Sequence, residues 1–339
     1  MIKDKKILIV GAGGFIGGHL VKKLLDNGNS IVTTDIKPKE YWFQDFETAE
    51  NYYSMDMKDI NNCRKVTKNI DYVFNMACNM GGMGFIENNK AECMQSVLIN
   101  TNLLIACKES EIKKYFFSSS ACAYNKTKQE KVFIEGLKEG DAYPADPEDG
   151  YGWEKLFSER MCRHFNEDFN LNISIARYHN VYGPLGTYDG GREKAPAAIC
   201  RKILQIENRE NSNNLLEIWG DGEQTRSFLY IDDCIEGTLK LFFDSNFSKP
   251  LNIGSEEQVS INQMVEIISK ISNISQFNKK YLIDMPKGVR GRSSNNELLK
   301  KTLNWNYKVT LNEGLTHLYN WMKEDLKNNN TNNKFTIKY

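Results

Sequence analysis

A parallel, doubly wound α/β sheet joined to a smaller α/β unit is the fold class this sequence predicts, on three observations. Lys6–Val10 (KILIV) is a short branched apolar run that opens onto a glycine loop, Gly11-Ala12-Gly13-Gly14-Phe15-Ile16-Gly17. Further apolar runs then alternate with helical stretches, the order that builds parallel strands with crossover helices. The chain has 339 residues, 40% of them hydrophobic and 26% charged, enough for about two domains and a sizeable core.

The elements follow in order. Residues 19–25 carry the apolar spacing of an amphipathic helix, and Ser30–Thr34 is a second strand closed by Asp35. Residues 72–76 and 114–118 are further strands, with helices expected over 89–109 and 150–165. Past Arg177 the pattern loosens, and Gly183, Gly186, Gly190 and Gly191 lead to Lys194-Ala195-Pro196, a helix start with proline in its first turn. Short strands are expected at 216–219, 227–231 and 251–253, and a helix over 260–274. The Asn-rich stretch 327–339 reads as a flexible tail. This organisation assigns residues 1–180 with 228–255 to a dinucleotide-binding domain, and 181–227 with 256–326 to a substrate domain.

Composition narrows the function classes. Lys+Arg and Asp+Glu both number 44, so neither a nucleic-acid partner nor a polybasic membrane surface is expected. No apolar run approaches the ~20 residues that cross a bilayer. The chain start leads straight into the first strand, so no cleavable leader is expected and the location expected is the cytosol. Eight cysteines without a CxxC pair read as reduced, buried thiols, with Cys122 set apart below. Four histidines without ligand spacing argue against a metal site.

Gly11, Gly14 and Gly17 stand between a strand and a helix, where glycine permits the tight turn and lets backbone amides reach a pyrophosphate. Phe15 and Ile16 lie in the same loop. Asp35, about 20 residues on, suits the ribose hydroxyls and repels a 2′-phosphate. Loop and acid together make the sheet Rossmann-type and favour NAD over NADP. Asp56 is a candidate acceptor for the adenine amino group, although a lone aspartate is as often a helix cap.

Tyr151-Gly152-Trp153-Glu154-Lys155 is a YxxxK pair on one helix face. A lysine ammonium and a cationic nicotinamide would favour the phenolate of Tyr151, making it an acid/base for an alcohol-to-ketone step. Ser118-Ser119-Ser120 ends a strand at the carboxyl edge, where such sheets bind ligands. The order glycine loop, Asp, Ser cluster, YxxxK resembles the extended short-chain dehydrogenase/reductase family, the nucleotide-sugar epimerases and dehydratases.

Narrower motifs resemble the GDP-mannose 3,5-epimerase branch: Asn79 to Phe85 (NMGGMGF), Ser119-Ser120-Ala121-Cys122, Gly190 to Ala198 (GGREKAPAA), Trp219-Gly220-Asp221-Gly222, Gln224 to Phe228, and Gly288-Val289-Arg290-Gly291-Arg292. That resemblance implies Cys122 and Lys194 as the acid/base pair for carbon epimerisation, with Tyr151, Lys155 and Ser120 completing the catalytic set. It also implies a GDP-sugar site along Gly81, Ser120, Ala121, Asn180, Glu193, Ala195, Lys202, Gln224, Thr225, Arg226 and Arg290. A tightly bound, recycled NAD and a homodimer packed through the helices near 89–109 and 150–167 are implied as well. No carboxylate neighbours Cys122 in the chain, which argues against dehydration. Asn125 stands where the branch has proline, and Cys78-Asn79 where it has Ala-Asp; both are read as near enough to the site to shift sugar preference. The loop 208–214 is longer than in the branch. The alternative reading is an epimerase or dehydratase acting on another nucleotide sugar, such as a GDP-heptose.

Overall fold

The computed structural model describes residues 3–48, 50–208 and 214–328. The tail expected over 327–339 begins inside a helix and otherwise lies outside the described residues, as does most of the long loop 208–214.

The first half alternates β1 (Lys6–Val10), α1 (Phe15–Asp26), β2 (Ser30–Thr34), β3 (Glu50–Tyr52), α2 (Ile60–Val66) and β4 (Tyr72–Asn75). There follow α3 (Met83–Asn88), α4 (Lys90–Met94), α5 (Ser96–Glu109), β5 (Lys114–Ser120), α6 (Asp149–Phe169) and β6 (Ile173–Tyr178). The second half contains β7 (Val181–Tyr182), α7 (Ala195–Glu207), β8 (Leu215–Trp219), β9 (Thr225–Ser227), β10 (Leu229–Tyr230), α8 (Ile231–Phe243) and β11 (Pro250–Ile253). It ends with β12 (Gln258–Ser260), α9 (Ile261–Ser272), β13 (Asn278–Leu282), β14 (Gly291–Arg292), α10 (Glu297–Leu303) and α11 (Leu311–Lys327).

Seven strands form one sheet in the order β11-β6-β5-β4-β1-β2-β3, and every neighbouring pair is parallel. Its central strands are buried on both faces, as the near-continuous apolar run of β1 requires. One core, with Ile7, Ile9, Phe74, Phe116 and Phe242, joins the sheet to α1 and α8. A second, with Leu8, Val10, Val73, Tyr115 and Phe117, packs it against α2, α5 and α6. The order reverses direction between β1 and β4, so the loops after those two strands part and open a crevice at the carboxyl edge. Small pairings cover that crevice: β7 with β10, β8 with β13, and β9 between β12 and β14.

Three local expectations needed correction. Helix α1 begins at Phe15 rather than at residue 19, because its glycine-rich first turn lacks helical propensity but not helical geometry. The helix expected over 89–109 divides at Gln95, where the Leu98 amide bonds to the Gln95 carbonyl in a tightened turn. The strand expected over 227–231 is cut into β9 and β10, and Ile231 already opens α8, whose first turn holds Asp232 and Asp233 at the favourable end of its dipole.

Candidate active site

A cavity of about 1040 Å³ runs from the crevice between β1 and β4 to β8 and β9, at the top of the size range for a single small ligand. Gly11 turns the chain out of β1 at φ +82°, and a Cβ there would lie 2.8 Å from the Ala77 amide nitrogen. A Cβ on Gly17 would collide with the Gly11 carbonyl, so α1 can approach the strand only with glycine there. Gly14 caps α1 without a side-chain hydrogen bond, which leaves the first-turn amides to face a ligand; Phe15, Ile16 and Gly17 all line the cavity. Asp35 accepts the amides of Gly13 and Lys37, both at 2.9 Å, and also lines the wall. Asp56 lines the same end and accepts the Lys58 amide at 2.8 Å.

Next along the cavity come Ser120, at the end of β5, and Tyr151, in the first turn of α6. The Tyr151 hydroxyl interacts with Ser120, and Ser120 Oγ accepts the Cys122 amide at 3.2 Å. Lys155 is 1% exposed and does not line the cavity; it lies beneath, its Nζ 5.5 Å from the Tyr151 ring centre. Glu154, equally buried, sits 3.5 Å from that ammonium and tempers it. Burial, then Cys78, Cys122 and Glu154, holds the Tyr151 phenol well above its usual range, with Ser120 opposing. The Lys155 Nζ has the Glu154 ion pair and no hydrogen bond besides. Uncapped amides at the start of α1 and Asp35 in one crevice fit a dinucleotide whose ribose carries free hydroxyls.

Cys122 sits in the short turn after β5, and Lys194 caps the start of α7. Both line the cavity and are close enough for their charges to interact. Burial raises the thiol above its usual range and lowers the ammonium of Lys194 below its own. The chain around Cys122 offers no carboxylate, but the fold supplies Glu148, 26 positions on, whose side chain interacts with the thiol. The absence of a nearby carboxylate, inferred from sequence neighbours, is thereby corrected.

Gly81, Ala121, Asn180, Glu193, Ala195, Lys202, Gln224 and Arg226 all line the cavity. Lys202 donates to the Glu217 carbonyl at 2.7 Å, Asn180 to that of Ser227 at 3.1 Å, and Gln224 to that of Trp219 at 2.8 Å. Gln224 Oε1 is buried without a partner. Burial, then Arg292, brings the Arg226 guanidinium down to about 10. Thr225 and Arg290 are not among the lining residues: Thr225 donates to the Val132 carbonyl, and Arg290 forms a fork whose two bonds to Asp221 are each 2.7 Å. Asn125 also stays off the cavity; it caps a turn and bonds the Pro144 carbonyl at 2.7 Å, whereas Cys78 and Asn79 line the wall.

Sequence reasoning passed over Glu148, Arg192 and Arg292. Arg192 donates to Asn79 Oδ1 and the Met80 carbonyl at 3.0 and 3.1 Å, pinning the GGREKAP segment to the NMGGMGF turn. Arg292 donates to Cys122 Sγ at 3.3 Å. The GVRGR motif signals an arginine, but only the pairing of Arg290 with Asp221 tells which of the two reaches the cavity.

The profile of the NAD dependent epimerase/dehydratase family matches residues 7–254. The chain is 44% identical over 330 residues to GDP-mannose 3,5-epimerase of Arabidopsis thaliana, a match covering 96% of this chain and 84% of that protein. Its fold matches the UDP-glucose 4-epimerase of Thermotoga maritima with TM-score 0.83 at 24% identity, over 95% of this chain and 99% of that one. The UDP-glucuronic acid 4-epimerase of Bacillus cereus, solved with UDP-glucuronic acid and NAD, gives TM-score 0.79 at 26% identity, over 94% and 99%. A glycine loop, an acid after β2, a serine at the end of β5 and YxxxK on α6 thus meet in one crevice, and the chain belongs to the NAD dependent epimerase/dehydratase family.

Proposed function

We propose that the protein is an NAD-dependent epimerase that inverts carbons 3 and 5 of a GDP-sugar through a 4-keto intermediate, turning GDP-mannose into GDP-L-galactose, GDP-L-gulose or both. The observation that carries this reading is the meeting of Cys122 and Lys194 in one cavity with Tyr151 and Ser120. The 44% identity to a GDP-mannose 3,5-epimerase supports the choice of sugar.

Protons on a hydroxyl-bearing carbon are not acidic, whereas a ketone at carbon 4 acidifies those on carbons 3 and 5. NAD, when bound, supplies a reversible hydride acceptor for carbon 4. Gly11, Gly14, Phe15, Ile16, Gly17, Asp35, Asp56 and Lys155 hold and orient it. Tyr151, steadied by Ser120, moves the proton of the carbon 4 hydroxyl. Cys122 and Lys194 hold the protons exchanged at the ring carbons. Arg226 and Lys202 bring positive charge to the diphosphate. Gly81, Ala121, Asn180, Glu193, Ala195 and Gln224 enclose the sugar, with Thr225 and Arg290 as braces outside the wall. Return of that hydride to carbon 4 would leave no net redox change, so the residues that hold NAD would keep it bound from one turnover to the next.

We assign the dinucleotide to residues 1–180 with 228–255, and the GDP-sugar to 181–227 with 256–326; the return of β11 to the main sheet beside β6 supports that division. The enzyme is a cytoplasmic homodimer in this reading. Exposed Met94, Leu98, Trp153 and Phe157 on α4, α5 and α6 support the dimer, and no helix of the described residues is long and apolar enough to cross a membrane.

Proton NMR of GDP-mannose with the purified protein in D2O tests the reading. Deuterium at carbons 3 and 5 with new sugar signals is expected. No exchange in protein that still carries NAD overturns the choice of GDP-mannose, and GDP-heptoses become the substrates to assay.

A further inference from the structure

Residues 183–194 join β7 to α7 with neither helix nor strand. Gly190 and Gly191 turn this strap at φ +89° and +84°, left-handed values that glycine adopts without steric cost. Lys194 ends the strap as the N-cap residue of α7. From there onward the chain is held: the Ala198 amide bonds the Lys194 carbonyl at 3.0 Å, and Ile199, Cys200 and Ile203 sink into the core. Ahead of Lys194 no ladder of backbone bonds gives the strap its own frame, so side chains must fix it.

Arg192 ties one side of the strap. Its Nη1 donates to Asn79 Oδ1 and to the Met80 carbonyl at 3.0 and 3.1 Å, and its guanidinium carbon lies 3.8 Å from the centre of the Phe85 ring. Asn79 Nδ2 donates to Glu92 Oε2 at 3.3 Å, which turns the amide oxygen toward Arg192. The backbones meet at the same place. The Gly82 amide bonds the Arg192 carbonyl at 3.0 Å, and a Cβ on Gly82 would lie 2.4 Å from the Glu193 carbonyl oxygen. Arg201 of α7 ties the other side, with Nε on the Tyr188 carbonyl at 2.8 Å and Nη2 on Glu193 Oε1 at 3.2 Å.

The strap comes from the second half of the chain and the loop after β4 from the first, and both line the cavity. We propose that Arg192 is a positioning residue, which clasps the strap to that loop and so holds Lys194 at the sugar. This rests on the reading that Lys194 exchanges protons with the sugar, and it needs no fixed direction of transfer. Lys194 lies two residues beyond the clasp. A swing of the strap about Gly190 and Gly191 would carry Lys194 with it, and a displacement of about 1 Å at a reacting group costs about 100-fold in rate. Charge-assisted bonds and a ring face under the guanidinium make the clasp stronger than neutral backbone contacts alone.

Amide hydrogen–deuterium exchange of the holoenzyme without sugar, read by mass spectrometry on peptides covering 79–86 and 188–195, tests the clasp apart from activity. Arg192→Met should speed exchange about tenfold in both peptides and leave the strands of the main sheet unchanged. With GDP-mannose in D2O, the same variant should lower kcat for deuterium entry at carbons 3 and 5 about 10- to 100-fold, with KM within about threefold of native. Arg192→Lys keeps the charge and recovers part of both effects. Asn79→Ala added to Arg192→Met costs nothing further, because the two changes remove one shared contact. Unchanged amide exchange in both peptides of Arg192→Met overturns the clasp. Faster amide exchange with native kcat, or a raised KM at native kcat, overturns the positioning role. Lys194→Met that still admits deuterium at the native rate overturns instead the acid–base reading on which the proposal rests.

Discussion

The Asp35 carboxylate accepts the Gly13 amide at 2.9 Å, so the end of β2 braces the loop that follows β1. Its other oxygen takes the Lys37 amide at 2.9 Å. Burial raises this acid, while Lys37 and the backbone bonds oppose that effect. One side chain therefore shapes the glycine loop and lines the crevice beside it.

Asp35→Asn keeps the size and loses the charge. A hydrogen bond to a charged group contributes about 1.5–3 kcal/mol, so NAD affinity should fall about 10- to 100-fold. Titration of nucleotide-stripped protein with NAD by calorimetry checks this; unchanged affinity would remove Asp35 from the cofactor site.

Arg290 and Arg226 should separate cleanly. The Arg290–Asp221 fork is about a third to a half exposed, and pairs of that kind contribute about 0–1 kcal/mol. The fork, above all, brings Asp221 down to about 2, so what it contributes persists above the unfolded value near ~3.9 and fades only as pH falls toward 2. Arg290→Ala should leave the melting temperature and the sugar KM nearly unchanged at neutral pH. Arg226→Ala should raise that KM at least tenfold, the loss of one charge-assisted contact. Thermal melts and initial rates on both variants decide it, and equal KM effects would place Arg290 at the substrate after all.

His179 makes stability depend on acidity. It is fully buried at the end of β6, with Nε2 3.0 Å from Asn252 Oδ1 and Nδ1 without a partner. Burial brings its imidazole down to about 3. The unfolded chain takes up this proton near ~6.5, so the stability is complete above that value and is lost progressively as pH falls toward 3. Between pH ~6.5 and ~5 the cost should be about 2 kcal/mol from this residue. Urea unfolding of native protein and His179→Asn across that window should give a smaller slope against pH in the variant, and parallel slopes would show that His179 does not titrate on unfolding.

The frame of the fold was readable because its signals are local. β1 and β2 have the bounds that their apolar runs set, and glycines 11, 14 and 17 stand where turn and close packing demand them. Boundaries set by tertiary contact were not readable, as in the division at Gln95 or the early start of α8. The site shows the same split. Tyr151 and Lys155 announce themselves by spacing, but Glu148 and Arg292 meet across 144 positions and Cys122 and Arg292 across 170. No periodicity links residues so far apart, and which arginine of GVRGR turns inward depends on Asp221 claiming the other.

Helix α6 presents Tyr151 and Lys155 inward and Trp153 and Phe157 outward, one greasy step behind the chemistry. Whatever covers those two rings grips the same rod that aims the phenol and the ammonium. A rotation of α6 by a few tens of degrees would shift both faces together, since a helix turns as one body. Any contact made through those rings and the reaction geometry are thus mechanically one variable, and such a contact that slackens should misalign the phenol before it unfolds anything.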